Sequence, residues 1–141
     1  MTEKIWLGGI YLKNEGGYEI ILKSLNHYKR RLQTLDGSPE LKDSGAMFAS
    51  ILNQQAMKIV PKIQEMNEKI INYLKNIQNV NFVDEDISFL EKALVCYESD
   101  IHKAEDTGYE YFLNLVGNMV QARKDLVIIK RTLSKINQFS E

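Results

Sequence analysis

The sequence predicts an all-α protein, an elongated antiparallel up-and-down four-helix bundle. The first observation behind this prediction is the spacing of apolar residues between positions 49 and 80, which alternates strictly between three and four. That spacing keeps one face of a helix turned toward a partner helix. The second is a composition of 44% hydrophobic and 26% charged residues in 141, typical of one folded globular domain. The third is the set of glycine, proline and capping residues that divide the periodic stretches into helices.

The N-terminal part of the chain divides into an arm and the first helix. Residues 1–17 are predicted to form an arm or a helix extension, because two glycine pairs interrupt their apolar residues. Residues 18–141 then form the helical bundle domain. The first helix is expected near residues 17–36, and Asp36 with Gly37 ends it, since glycine readily adopts the left-handed conformation after a helix. Its apolar face consists of Tyr18, Ile21, Leu25, Tyr28, Leu32 and Leu35.

The second helix, expected near residues 39–79, is the central element of the predicted fold. Ser38 is a favourable N-cap and Pro39 is tolerated at the first helical position, although the regular pattern becomes firm only at Ala46 and leaves a break near 43–45 open. Pro61 lies opposite the apolar face, so we expect a kink there and no break. The apolar face comprises Ala49, Leu52, Ala56, Ile59, Ile63, Met66, Ile70, Tyr73, Ile77 and Val80.

The remaining chain is predicted to form helices near 84–105 and 108–138. Between them the apolar spacing gains one extra four-residue step around Gly108. A tight turn there is favoured, because Thr107 and Glu110 have the spacing of a capping box. The alternative is a single helix over 84–139 with a stutter at Gly108, which would give three long helices in a coiled-coil-like arrangement.

Charge, cysteine content and hydropathy exclude several classes of protein. The net charge is −1, so no overall field attracts nucleic acid or an anionic membrane. Cys96 is the single cysteine, which excludes an intramolecular disulfide and a cysteine-based zinc site. The sequence contains neither a signal peptide nor a membrane-length apolar run, so a soluble cytoplasmic location is predicted. No catalytic constellation and no cofactor motif is recognisable, which favours a non-catalytic protein.

An alternative function is a metal- or small-ligand-binding helical bundle, since such bundles hold carboxylate-bridged metals on inward-facing Glu and His residues. The closest such pair here is Glu98 and His102, four residues apart, and these are the candidate metal ligands. Both lie beside or outside the apolar face, and His27 also lies off its own apolar face. The sequence therefore predicts that these side chains are solvated and make only local contacts.

The charged residues are unevenly distributed along the chain. Residues 84–110 contain nine acidic and two basic residues, whereas the first and last helices are basic. The favoured interpretation is that acidic and basic helices lie side by side and fix the topology. The alternative is a nucleic-acid- or polyanion-binding surface formed by Lys29, Arg30, Arg31, Arg123, Lys124, Lys130, Arg131 and Lys135.

A second apolar stripe accompanies the main one on the second and last helices. A helix with such a wide apolar face contacts two neighbours within one chain, or one neighbour and a second subunit. The sequence therefore predicts a helical scaffold or protein-interaction module that associates with itself as a homodimer, with no cofactor. The predicted interface residues are Met57, Val60, Ile71, Leu74, Leu113, Val116, Val120 and Val127.

Overall fold

The computed structural model describes residues 17–35, 38–39, 45–74 and 84–140. Of these residues 93% are helical and none lies in a strand, which confirms the all-α prediction. The predicted arm lies outside the described residues, apart from Gly17. The described part contains five helices where four were predicted: α1 (Gly17–Gln33), α2 (Ala46–Leu74), α3 (Asp84–Thr107), α4 (Glu110–Val116) and α5 (Met119–Ser140). None of them is long and apolar enough to cross a membrane.

The chain turns at Gly108, so the alternative of one helix over 84–139 is wrong. Gly108 has a φ of 69°, a left-handed conformation that interrupts a right-handed helix and that glycine adopts without steric cost. The predicted capping box does not form as expected. Thr107 Oγ1 donates to the Lys103 carbonyl at 2.6 Å and accepts from the Tyr109 N–H at 3.1 Å, while Tyr109 itself is the N-cap of α4.

A second break divides the predicted helix 108–138 into α4 and α5. Gly117 has φ 81° and ψ −127°, a backbone conformation far from the helical region. Asn118 then caps α5, because its Oδ1 accepts from the N–H groups of Val120 at 2.9 Å and Gln121 at 3.1 Å. Apolar periodicity does not reveal this break, because the three- and four-residue spacing continues across it.

Helix α2 starts later than its predicted first residue. Its first helical residue is Ala46, where the apolar pattern becomes regular, and Gly45 is not helical. An unbroken helix from residue 39 is therefore wrong, and the break left open near 43–45 is confirmed at Gly45. Ser38 is buried, and its N–H donates to the Leu35 carbonyl at 3.0 Å, as part of a turn after α1. Helix α2 continues through Pro61, which is exposed, so the expectation of no break there is confirmed. The predicted end at residue 79 lies outside the described residues.

Helices α1 and α3 lie at the centre of the packing. Helix α1 contacts all four other helices, α3 contacts α1, α4 and α5, and α2 packs mainly on α1. Helix α5 is joined to α3 by the pair of Arg123 with Glu105 and by the hydrogen bond from Tyr97 to Asp125. The largest fully buried side chains come from all five helices: Ile21, Leu25, Ile63, Met66, Ile70, Leu90, Leu94, Ile101, Phe112 and Ile129.

Replacing either turn glycine by alanine is expected to destabilise the protein through the backbone alone. A Cβ at Gly108 or Gly117 meets no atom within 4 Å, so only the positive φ opposes it. We expect Gly108→Ala to lower the free energy of unfolding by about 1 kcal/mol and Gly117→Ala by about 2 kcal/mol. Urea denaturation monitored by circular dichroism measures both. Wild-type stability of Gly117→Ala would show that this turn does not hold the described conformation.

Candidate functional site

The structure places the predicted metal ligands apart from any ligand cluster among the described residues. Glu98 is half-buried and His102 is exposed on α3. The metal-ligating side chains that do come together are His27, Cys96 and Asp100, whose ligand atoms all lie within 4.8 Å of one another. The prediction that His27 is solvated is wrong, because only 4% of its surface is exposed.

Asp100 is the centre of this cluster. Its exposed fraction is 1%, and it lies on α3 facing α1. His27 Nε2 lies 2.7 Å from Asp100 Oδ2, and Arg31 Nε donates to the same oxygen at 3.1 Å. His27 and Arg31 are four residues apart on α1, so one face of that helix supplies both. The Cys96 thiol lies one turn before Asp100 on α3, with Sγ 3.9 Å from Oδ2.

Arg31 is held from its other side by aromatic rings. The centre of its guanidinium lies 5.5 Å from the ring centroids of both Tyr111 and Phe112, within the range of cation–π attraction. Its Nη1 donates to the Tyr111 hydroxyl at 3.4 Å. This guanidinium therefore joins α1 to α3 through a carboxylate and to α4 through aromatic faces.

A second buried carboxylate, Asp125 on α5, has its own set of donors. Lys23 Nζ donates at 2.6 Å, the Tyr97 hydroxyl at 2.7 Å and Gln121 Nε2 at 3.1 Å. Burial by itself would raise the pKa of Asp125, but these three hydrogen bonds and the Lys23 charge outweigh it, so that pKa lies below its ordinary value. Burial and the bond to Asp125 raise the pKa of Tyr97.

The two acid sites are neighbours, since the rings of His27 and Tyr97 lie 4.8 Å apart. Lys23, His27 and Arg31 all lie on α1 at four-residue intervals, and they connect this helix to Asp125 and Asp100. Helix α2 makes an equivalent contact: Lys62 and Lys69 donate to buried Asp86 at 3.2 and 2.6 Å. Such pairs contribute little net stability compared with apolar packing, yet removing one partner is costly, so they favour one arrangement of the helices.

The Cys96 environment does not activate a thiolate. Burial, and then the negative charge of Asp100, raise the pKa of the Cys96 thiol to about 12. Catalytic cysteines have lowered pKa values, so nucleophilic catalysis by Cys96 is disfavoured. Ser24 Oγ, one turn before His27 on α1, is fully buried and is the single buried side-chain atom without a hydrogen bond in the described part of the chain.

The predicted polyanion-binding residues do not form one set. Arg31 is buried against Asp100, and Arg30 donates weakly to the Asn114 and Leu115 carbonyls at 3.4 Å. Lys29 is half-buried. On α5, Arg123 pairs with Glu105 at 2.7 Å. The other exposed basic residues of α5 have no ion pair among the described residues, namely Lys124, Lys130 and Arg131; the side chain of Lys135 is not described.

The predicted interface residues also divide into groups. Val60 and Val116 are buried within the chain and Leu113 is half-buried. The side chain of Leu74 is not described. The exposed members of the predicted interface are Met57, Ile71, Val120 and Val127.

An exposed apolar stretch lies instead at the start of α2. None of the side chains of residues 47–55 is buried, although the main apolar face of the helix passes through them. Met47, Phe48 and Ile51 are exposed by 79%, 53% and 46%, and Leu52 beside them is half-buried. Buried positions on α2 begin at Ala56.

Comparison of the chain with protein-family models, with curated proteins and with solved structures finds no match in any of the three. Its function is therefore argued from the geometry of its own residues.

The buried Asp125 network is expected to make stability depend on acid pH. A carboxyl whose pKa is lowered by folding stabilises the folded state above its unfolded pKa, and that contribution is lost as pH falls through the folded value. Asp125→Asn should therefore lower the free energy of unfolding at pH 7 by about 2 kcal/mol. This difference from wild type should shrink below about pH 4.

Urea denaturation from pH 7 to pH 2 measures this difference. Asp106→Asn, at an exposed carboxyl of α3, is the matched control and should stay close to wild type in stability across this pH range. A pH-independent difference between wild type and Asp125→Asn would contradict the assignment of a lowered pKa.

Proposed function

We propose that this protein is a non-catalytic helical interaction module that associates with itself through the N-terminal part of α2. In this proposal the helices form an elongated up-and-down bundle, and residues 47–55 extend its main apolar face beyond the packed region. We call these residues the α2 docking face. They are the observation that carries the proposal.

The α2 docking face continues a stripe that is buried further along the same helix. Phe48 and Leu52 lie in line with Ala56 and Ile63, at the three- and four-residue steps of one helical face. Ala56 and Ile63 are buried by the neighbouring helices, whereas Phe48 is exposed. Where the apolar stripe extends beyond the described helices that cover it, the exposed part offers a surface suited to another helix.

A second copy of the chain is the partner that the charges favour. Residues 46–57 contain no charged side chain, although 26% of the whole chain is charged. In a symmetric dimer each residue lies near the same residue of the second copy, or near a neighbour of that residue. Like charges in the interface would therefore oppose association. Their absence here removes that repulsion. Burial of Phe48 and Ile51 would contribute roughly 1.5–3 kcal/mol for each fully buried side chain.

The second apolar stripe predicted from the sequence is a weaker candidate for this interface. Val60 and Val116 already pack inside the chain, so they offer no surface to a partner. Val120 and Val127 are exposed, but the exposed basic residues Lys124 and Arg131 lie on the same face of α5 and would repel a second copy. Self-association through α2 avoids this repulsion.

Phe48→Glu is expected to dissociate the dimer. It places a charge on the α2 docking face without touching a buried residue, and the two copies together should raise the dissociation constant at least about 100-fold. Sedimentation equilibrium measures this change. Val127→Glu, an equally exposed apolar residue on α5, is the matched control and should leave the dimer intact. A monomeric wild type at high concentration would overturn the proposal, as would loss of the dimer in the control alone.

A charge-swap experiment tests the symmetry of the contact. If two α2 docking faces pair antiparallel about their midpoint, each Ile51 lies beside its own copy. Ile51→Glu and Ile51→Lys should then each be monomeric alone, because like charges meet. The equimolar mixture should form a heterodimer, seen as a doubled mass in light scattering. A mixture that stays monomeric would contradict the antiparallel arrangement.

Polyanion binding by α5 is a second candidate function, favoured by its exposed basic residues without ion pairs. Lys124 and Arg131 share one face of the helix, Lys130 lies about a third of a turn away, and all three remain available to phosphates. If they bind nucleic acid, affinity for duplex or single strands should fall steeply as salt is raised. Replacing all three by glutamine should lower the salt slope by about 3. Lys58→Gln, on α2, is the control, and binding without salt dependence would exclude this function.

A further inference from the structure

We propose that His27, Cys96 and Asp100 form a binding site for a divalent metal ion of the zinc class. This proposal is independent of self-association, because none of the three residues lies on the α2 docking face. The observation behind it is the convergence of three different ligand types from two helices, all within 4.8 Å. The sequence predicts no cysteine-based zinc site, and this proposal reverses that prediction because His27 and Asp100 supply the further ligands. Two of the three side chains are almost completely buried.

The ligand atoms converge on one point, but a tetrahedral site requires their separations, which reach up to 4.8 Å, to adjust. Zinc binds sulfur at about 2.3 Å and nitrogen or oxygen at about 2.0 Å, which puts neighbouring ligand atoms roughly 3.3–3.6 Å apart. Here the Nε2 of His27 lies 2.7 Å from Asp100 Oδ2, and the Sγ of Cys96 lies 3.9 Å from it. Small side-chain rotations would widen the first distance and shorten the second. Neutral imidazole binds a metal through Nε2 when its proton is on Nδ1.

The ligand charges neutralise such an ion, because the Cys96 thiolate and the Asp100 carboxylate together offset two positive charges, and metal coordination deprotonates a thiol. Two further cations stay beside the site, since Lys103 Nζ lies 4.0 Å from Asp100 Oδ1 and Arg31 binds Oδ2. Arg31 remains as an outer donor, hydrogen-bonded to the same carboxylate that binds the metal, an arrangement typical of metal sites. Its own charge is stabilised by the faces of Tyr111 and Phe112 at 5.5 Å.

A path from solvent reaches the site on the Cys96 side. A groove of about 780 Å³ lies between α1, α3 and α5, and Cys96 forms part of its wall together with Tyr28, Ser99 and Leu133. Three protein ligands leave one position of a tetrahedral site open to water or to another ligand.

Cobalt titration tests the site directly, because Co²⁺ replaces Zn²⁺ and reports thiolate coordination spectroscopically. The chain has a single cysteine, so a thiolate-to-cobalt charge-transfer band can arise only from Cys96. We expect this band to saturate at one Co²⁺ per chain and to disappear on addition of Zn²⁺. Cys96→Ser should abolish it while leaving the far-ultraviolet circular dichroism unchanged.

The remaining ligands are tested with matched substitutions. His27→Gln keeps a donor toward Asp100 and should weaken Co²⁺ binding at least about tenfold, in the range that loss of supporting metal contacts produces. His102→Gln, on the exposed face of α3, should bind Co²⁺ as wild type does. Stoichiometric Co²⁺ without the charge-transfer band, or equal weakening by both substitutions, would overturn the site. Absence of Co²⁺ binding to the folded wild type would also overturn it.

Discussion

The structure depends on a small number of carboxylates buried between helices. Asp86, Asp100 and Asp125 are almost inaccessible to solvent, and each accepts hydrogen bonds from cations on another helix. A buried carboxylate without such a partner would be very unfavourable, so each pairing restricts which helix faces meet and in which register. Apolar packing supplies most of the driving force for folding but tolerates many similar arrangements. The charged pairs select among them.

Helix α1 has a special part in this selection. It supplies the donors to both Asp100 and Asp125, and through Arg31 it also reaches the aromatic rings of α4. The turn at Gly108 separates α4 from α3, and the turn at Gly117 separates α5 from α4. The positions of α4 and α5 are therefore not set by a continuous helix. The contacts from α1 therefore hold together elements that the chain itself leaves loosely connected. The same contacts bring His27 beside Cys96 and Asp100, where metal-ligand chemistry becomes feasible.

The two proposals concern surfaces of opposite polarity, an apolar helix face and a polar buried cluster. The α2 docking face carries no charge and is not buried by the described residues, and its chemistry suits the matching face of a second copy. The cluster of His27, Cys96 and Asp100 is polar and enclosed, with solvent access through the groove beside Cys96. Metal bound there would lie between α1 and α3. Because binding to the folded state alone stabilises it, metal would strengthen a helix pair that the rest of the domain packs against.

The sequence by itself determined the helical class, the turn at Gly108, the uninterrupted course of α2 through Pro61 and most of the apolar core. These follow from local rules, since three- and four-residue spacing and glycine act within a few residues. It did not reveal the break at Gly117, because apolar spacing continues across it, although a glycine followed by a capping asparagine was a usable signal.

Only the tertiary structure decided which polar residues are buried. On α1, Ser24, His27 and Arg31 follow the same helical spacing as the apolar residues. On α5, Asp125 does the same between buried Ala122 and Ile129. A periodicity restricted to apolar side chains excludes them, so the sequence predicts His27 in solvent and Glu98 and His102 as the candidate ligands. Whether a charge at such a position is tolerated depends on a partner from a distant part of the chain. Asp100 and Arg31 are 69 residues apart, and only folding brings them together.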